Sequence, residues 1–485
     1  MNEAVTKLEP TDVWAHFESL NAVPRPSKKE ERVIAFMKAF GENLNLETIV
    51  DSIGNVIIRK PASAEMEDRV GVILQGHLDM VHQKNAETDF DFDSQGIESY
   101  IDDGWLKARG TTLGADNGMG VASIMAVLSA TDIEHGPLEA LFTIDEETGM
   151  TGAFKLQPGI LTGKILLNTD TEDEGELCIG CAGGVDTNIE LKYTQTPASS
   201  GTPLKISVKG LRGGHSGCEI HLGRGNANKI MNRLIWNADQ NFGLKIAAID
   251  GGSLRNAIPR ESFATVVVDN DKADDFKKHI AELVSIIQTE LVRTEPNLMV
   301  SIEPADAPAS VMDTESQSRL VQAIYAAPCG VIRMSDEMAD LVETSTSLAR
   351  VKADSGVAIV QFLTRSSVQT ARDDLSNMIE SCFRLAGAEV EHSGGYPGWK
   401  PNADSEILAR MKQIYEDLFG VPPKVNAVHA GLECGIIGSV YPGLDMISFG
   451  PTIKNPHSPD EKCEIASVGK YWEFLVETLK QIPKA

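Results

Sequence analysis

The sequence predicts an α/β domain, a largely parallel mixed sheet flanked by helices, interrupted by an inserted α+β domain. Three observations predict it. At 485 residues the chain exceeds one ordinary core. Helix and strand patterns alternate through the first 185 residues, as in parallel-sheet domains. The texture then changes from about Val185 to Glu391 and changes back. A hydrophobic content of 42% and a charged content of 24% are those of a globular chain.

Taken in order, Ser27-Lys-Lys-Glu30 has the form of a capping box, and Val33, Ile34, Met37 and Phe40 follow at helical spacing. Val70–Gln75, Leu138–Ile144 and Lys164–Leu167 are short apolar runs that read as buried strands. Beyond Val185, strand-like runs (Leu204–Val208, Ala264–Val268, Leu298–Ile302, Val357–Leu363) alternate with helical stretches (Asn226–Ala238, Asp275–Leu291, Ser316–Ala326, Thr370–Leu385). Two similar halves are one arrangement of this insertion, although no sequence repeat is visible. Gly394-Gly-Tyr-Pro-Gly398 reads as the loop that returns the chain. The expected division is therefore 1–185 with 394–485 as one discontinuous domain, and 186–393 as the insertion.

Charge narrows the function. With 44 basic against 70 acidic residues the net charge is −26, which would repel nucleic acid and anionic membranes. No apolar run approaches the ~20 residues that span a bilayer, and the N-terminus shows no secretory pattern. Seven scattered cysteines suit a reducing compartment, so a cytoplasmic location is expected. Cys178 and Cys181 form a lone C-x-x-C, read as incidental thiols in preference to a structural zinc site. There is no HExxH, and the glycines at 114, 118 and 120 match neither a Walker loop nor a dinucleotide fingerprint.

Seven residues suggest one hydrolytic metal site: His77, Asp79, Asp116, Glu146, Glu147, Asp170 and His457. His77/Asp79, Glu146/Glu147 and Asp170 each lie just past an expected strand, at the sheet edge where α/β sites form. In extended chain His77 and Asp79 face the same way, so Asp79 can orient the imidazole from behind. Asp116 stands at a sharp turn before an apolar helix, where its two oxygens could bridge two cations; taken alone it reads first as an N-cap. Adjacent Glu146 and Glu147 must differ in role if they share a site, one ligating and one free as base. By itself the pair is a solvated acidic doublet. His215, in Gly213-Gly-His-Ser-Gly217, is an exposed turn histidine or a donor to an oxyanion.

These strings, in order, resemble the co-catalytic zinc metallopeptidases that include aminoacylases, carnosinases and glutamate carboxypeptidases. The resemblance spans essentially the whole chain. It runs through Gln75-Gly-His-Leu-Asp-Met-Val81, Ala108-Arg-Gly-Thr-Thr-Leu-Gly-Ala-Asp-Asn-Gly118, Cys181-Ala-Gly-Gly184, Leu254-Arg-Asn-Ala-Ile-Pro-Arg-Glu261, His429-Ala-Gly-Leu-Glu-Cys-Gly435 and Gly450-Pro-Thr-Ile-Lys-Asn-Pro-His-Ser-Pro-Asp460. It implies a zinc exopeptidase-like catalytic domain with the insertion as lid. It implies two divalent cations, Zn2+ first, with Mn2+ or Co2+ permitted by the ligand types. His77 and Asp170 would hold one, Glu147 and His457 the other, with Asp116 between them. Glu146 would be the general base, Asp79 the residue behind His77, and His215 the oxyanion donor. Asn256, Arg365 and Gly431 align with substrate contacts, and a guanidinium suits a terminal carboxylate. Cys218 departs from the small residue expected beside His215.

An Asp at position 170 goes with aminopeptidase or dipeptidase action in such enzymes. The expected reaction is hydrolysis of unblocked dipeptides, preferentially with C-terminal histidine, β-alanyl-histidine included. A dipeptide is then the partner, with no nucleic acid or membrane, and a homodimer is left open. The alternatives are a broader dipeptidase or tripeptidase, an N-acyl amino acid deacylase, and a non-catalytic metal- or peptide-binding protein.

Overall fold

The computed structural model describes residues 2–198 and 200–485, the Gln240 side chain excepted. The chain divides into two compact units: residues 1–180, 401–427 and 432–485 form the first, and residues 181–400 with 428–431 the second. The divisions fall at 180/181 and 400/401, where the sequence reading put 185/186 and 393/394. Gly183–Lys192 and Glu389–Tyr396 are paired strands of the second unit's sheet, so the Gly394 segment ends a strand before the chain returns.

The first unit holds an eight-stranded mixed sheet. Its order is Glu47–Val50, Val56–Lys60, Leu138–Thr143, Val72–His77, Ile165–Asn168, Asp445–Ser448, Glu176–Cys181, Lys424–Val428. Val72–His77 runs parallel to both of its neighbours, and every residue of it and of Leu138–Thr143 is buried, which is why these strands read as continuous apolar runs. The helix Ala115–Ser129 is apolar nearly all round and buried from Asn117 to Leu128. Trp14 and Phe17 of the helix Thr11–Asn21 join Met119, Ala122 and Ala126 in one cluster.

The capping box does not form. The helix Glu31–Asn43 has Glu30 at its N-cap with no side-chain cap, because the Ser27 hydroxyl donates instead to Asp79 Oδ2 at 2.8 Å.

The second unit is a nine-stranded antiparallel sheet with amphipathic helices packed on it. The strand order is Met299–Pro304, Thr202–Lys209, Ser262–Val268, Lys245–Gly251, Val342–Asp354, Val357–Ser366, Gly183–Lys192, Glu389–Tyr396, with Gly330–Met334 beside Val342–Asp354. Helix Ala273–Glu290 buries Phe276, Ile280, Leu283 and Ile287 in its core. Helix Ala227–Phe242 is capped by Asn226, whose side chain accepts from the Asn228 and Lys229 amides.

His429 is buried in this unit, with Nε2 2.7 Å from Ser345 Oγ. Burial, then Arg365, His215 and His221, pull its imidazole down to about 3 from 6.5. The unfolded chain therefore binds a proton here between those values and the folded chain does not. That contribution to stability is intact above pH 6.5 and is lost as pH falls below it, at about 1.4 kcal/mol per pH unit. Denaturant unfolding at several pH values should show a shallower acid slope in His429→Gln than in wild type. Equal slopes would refute the buried neutral ring.

Candidate metal centre and active site

All seven residues of the sequence-predicted cluster come together in the first unit. His77 ends its strand, Asp170 follows Ile165–Asn168 by two residues, and Glu146 opens the short helix Glu146–Gly149 after Leu138–Thr143. Asp116 sits on a turn that departs from helical geometry at residues 116 and 117, so it caps nothing. Its Oδ1 lies 3.1 Å from His77 Nε2 and its Oδ2 3.1 Å from His457 Nε2. Each oxygen of one carboxylate thus faces a different histidine. Asp170 Oδ1 lies 3.3 Å from His77 Nε2, and Glu147 Oε2 2.9 Å from His457 Nε2.

Asp79 is held behind this cluster. Its carboxylate accepts from the Glu146 and Glu147 amides at 3.0 and 3.3 Å, and its Oδ1 lies 3.4 Å from His77 Nδ1. His77 Nδ1 also lies 3.1 Å from the Asp79 carbonyl, so Asp79 orients the ring through both backbone and side chain. Asp79 thereby also fixes where the two glutamates start.

Ligand atoms gather in three overlapping groups: His77 with Asp116 and Asp170, Asp116 with Glu147 and His457, and His77 with Glu146 and Glu147. These residues fit a pair of divalent cations. The donor set is imidazole nitrogen and carboxylate oxygen. Buried Glu147 Oε1 has no protein hydrogen-bond partner. Two histidines also stand against many acids. Burial pulls the His77 imidazole down, but Asp170, Asp116 and Asp79 outweigh it and hold it well above the ordinary range. Burial, then Asp170, Glu433 and Glu147, push the Glu146 carboxyl well up against the pull of His77.

Four residues that the sequence reading passed over complete the surroundings. Glu172 faces Asp116, Asp170 and His457 and is pushed up to about 9, by burial and then by Asp116 and Asp170. Glu433 accepts from Gln75 Nε2 at 2.7 Å and Thr143 Oγ1 at 2.6 Å, while Asn168 Nδ2 donates to Gln75 Oε1 at 2.5 Å. One buried carboxylate thus ties Gln75 to Thr143, and Gln75 in turn reaches Asn168, linking the ends of the strand that carries His77 and of those that precede Glu146 and Asp170. Arg25 is 1% exposed, and its guanidinium donates to the carbonyls of Leu78, Asp79 and Gly114. Gly114 has φ +68°, and a Cβ there would meet Arg25 Nη2 at 2.6 Å, as would one at Gly118. Glu461, 2% exposed, grips the other side of the same turn. The signals for these were faint: an Arg between two prolines, and a Glu four residues after His457.

The remaining candidates lie in the second unit. His215 Nδ1 accepts from the amides of Gly217 and Cys218 at 3.2 and 2.9 Å, so its proton sits on Nε2. The Cys218 amide is one of these two donors, a contact that any residue but proline supplies. Burial, then Arg365, lower the His215 pKa and keep the ring neutral. Arg365 is buried, with Nη1 donating to Tyr396 Oη at 2.9 Å and Nη2 3.5 Å from His215 Nε2. Asn256 is exposed and its carbonyl accepts from the Ser216 amide at 2.8 Å. Gly431 closes the short 428–431 segment, in which the Val428 and Ala430 carbonyls accept from the Ala182 amide.

A sheet edge carrying paired histidines and crowded carboxylates is a place where divalent cations could sit, and the comparisons with known proteins give the class, a peptidase. The chain belongs to peptidase family M20/M25/M40, whose model matches residues 73–481. It is 44% identical to the cytosol non-specific dipeptidase of Escherichia coli over 99% of both chains. The crystal structure of aminoacylhistidine dipeptidase from Vibrio alginolyticus is similar at TM-score 0.95 and 45% identity, covering 99% of this chain and 98% of that one. An aminopeptidase of Bacillus cereus shares the fold at TM-score 0.63 and 17% identity, covering 98% and 99%. Among the described residues no helix is long and apolar enough to cross a membrane.

Proposed function

We propose that this peptidase is a metal-dependent dipeptidase acting on unblocked dipeptides, preferentially Xaa-His and including β-alanyl-histidine. The observation that carries the metal dependence is Asp116, whose two oxygens face two different histidines. His77 and Asp170 would hold one divalent cation, Glu147 and His457 the other, with Asp116 shared; Zn2+ is favoured, and Mn2+ or Co2+ suit the same donors. Bound there, the cations would polarise the scissile carbonyl and make water a competent nucleophile near neutral pH.

Glu146 takes the proton from the attacking water and passes it to the leaving amine. Its backbone is pinned to Asp79, and its neighbour Glu147 is already engaged by His457, which leaves Glu146 as the carboxylate at liberty for this work. We assign His215 the donation of its Nε2 proton to the developing oxyanion, supported by the two amides that hold Nδ1 as acceptor. Arg365, Asn256 and Gly431 are proposed substrate contacts, with the guanidinium for the terminal carboxylate. In the domain roles proposed here, the first unit is catalytic and the second is the lid. A cytoplasmic location goes with the reading, supported by the name of the Escherichia coli relative.

The names of the two similar dipeptidases differ on breadth, non-specific for one and aminoacylhistidine for the other. A kinetic panel of Xaa-His, other dipeptides, tripeptides and N-acetylated amino acids decides this. The expected result is kcat/KM highest on Xaa-His, hydrolysis abolished by chelation and restored by divalent cation, and no cleavage of blocked amines. Equal rates across dipeptides would leave a broad dipeptidase, turnover of N-acetylated amino acids a deacylase, and hydrolysis indifferent to chelation would remove the metal.

A further inference from the structure

Resting on the metal reading above, we propose that Glu461 is a positioning residue that locks the Asp116 turn to the His457 loop, setting both ligands as one body. Glu461 Oε2 accepts from the amides of Leu113 and Gly114 at 2.7 and 2.9 Å. Its Oε1 accepts from those of Ala115 and Asp116 at 2.7 and 3.2 Å. Four consecutive N–H groups thus converge on one buried carboxylate, a nest that only an anion with two acceptor oxygens fills. The turn needs this, because residues 116 and 117 lack helical geometry and the N-cap residue, Gly114, has no side chain to cap the amides that follow it. Arg25 holds the opposite face through the Gly114 carbonyl at 2.5 Å.

The same glutamate anchors the other ligand. It stands four residues past His457, its own amide donates to the Ser458 carbonyl at 2.9 Å, and Lys462–Glu464 then pairs with Trp105–Ala108. His457 itself has φ +60° and a side chain 53% exposed, so packing does little to fix it. Beside the direct 3.1 Å contact of the two side chains, Glu461 joins the backbone of the His457 loop to that of the Asp116 turn.

Glu461→Gln tests this by removing one acceptor oxygen and turning an NH2 group toward two of the four amides. Zn2+ affinity is measured by competition with a chelating dye on wild type, Glu461→Gln, Asp116→Asn and the double variant, with circular dichroism confirming the folded fraction. Per folded molecule, Glu461→Gln is expected to weaken binding of at least one equivalent about 10–100-fold. Its loss should combine with that of Asp116→Asn less than multiplicatively, since part of it acts through that residue and the rest through the His457 loop. Affinity within twofold of wild type, or losses that multiply in the double variant, overturn the proposal. Glu461→Asp, which keeps the charge but is one methylene too short for all four amides, gives the same comparison if the Gln variant does not fold. Wild type that binds no Zn2+ would instead overturn the metal reading beneath it.

Discussion

Glu146→Ala is expected to lower kcat by about 10²–10⁴-fold while the metal content stays at the wild-type level. The substitution leaves the surroundings in place: the backbone amide at 146 still donates to Asp79 Oδ1, and Glu147 keeps its 2.9 Å contact with His457. Only the proton acceptor goes. Because that acceptor is proposed to act on the water and on the leaving amine, kcat and kcat/KM should fall together with KM little changed. Glu147→Ala is the control. It belongs to two of the three ligand groups where Glu146 belongs to one, so its loss should show as missing metal, with turnover partly regained at high cation concentration. A Glu146→Ala enzyme that keeps turnover, or one that sheds its metal, would exchange or void the roles given to the two neighbours.

The cluster itself was legible in the sequence because it lies where strong signals end, whereas the division of labour between Glu146 and Glu147 came only from the family resemblance. Apolar runs such as Leu138–Thr143 are buried on both faces, and the chemistry begins within three residues of the strand's end. What stayed hidden is polar and buried. The strand Val342–Asp354 runs from Val342 into Glu, Thr and Ser, yet Thr344, Ser345 and Thr346 are buried, their hydroxyls paired with Ser366, His429 and Thr364 at 2.8, 2.7 and 3.0 Å. Hydrophobic alternation cannot report a face that is satisfied by hydrogen bonds. Ser27 misled for a related reason: its spacing to Glu30 is that of a cap, but a buried carboxylate at Asp79 made a stronger partner for the hydroxyl. Arg25, Glu433 and Glu461 look like ordinary surface charges along the chain. Only the fold shows them fully buried and bonded to the segments that carry the cluster.

Asp116→Ala should remove metal more completely than loss of either histidine. His77→Ala or His457→Ala takes one ligand from one of the two proposed cations, whereas Asp116 supplies Oδ1 to the His77 side and Oδ2 to the His457 side. Both cations would lose a ligand at once, and the negative charge that offsets them falls by one. The fold should survive, because the Glu461 grip reaches the backbone amides of residues 113–116, which alanine also provides. The φ of −78° and ψ of 114° at Asp116 are likewise ordinary for alanine. The expected outcome after dialysis against metal-free buffer is less than one equivalent bound. Affinity should weaken by at least about 100-fold, beyond the range typical of an outer residue, with a melting profile of the metal-free chain close to wild type. A variant retaining both equivalents would show that the histidines and acids bind independently, and the shared carboxylate would no longer explain why two ligand groups meet at one residue.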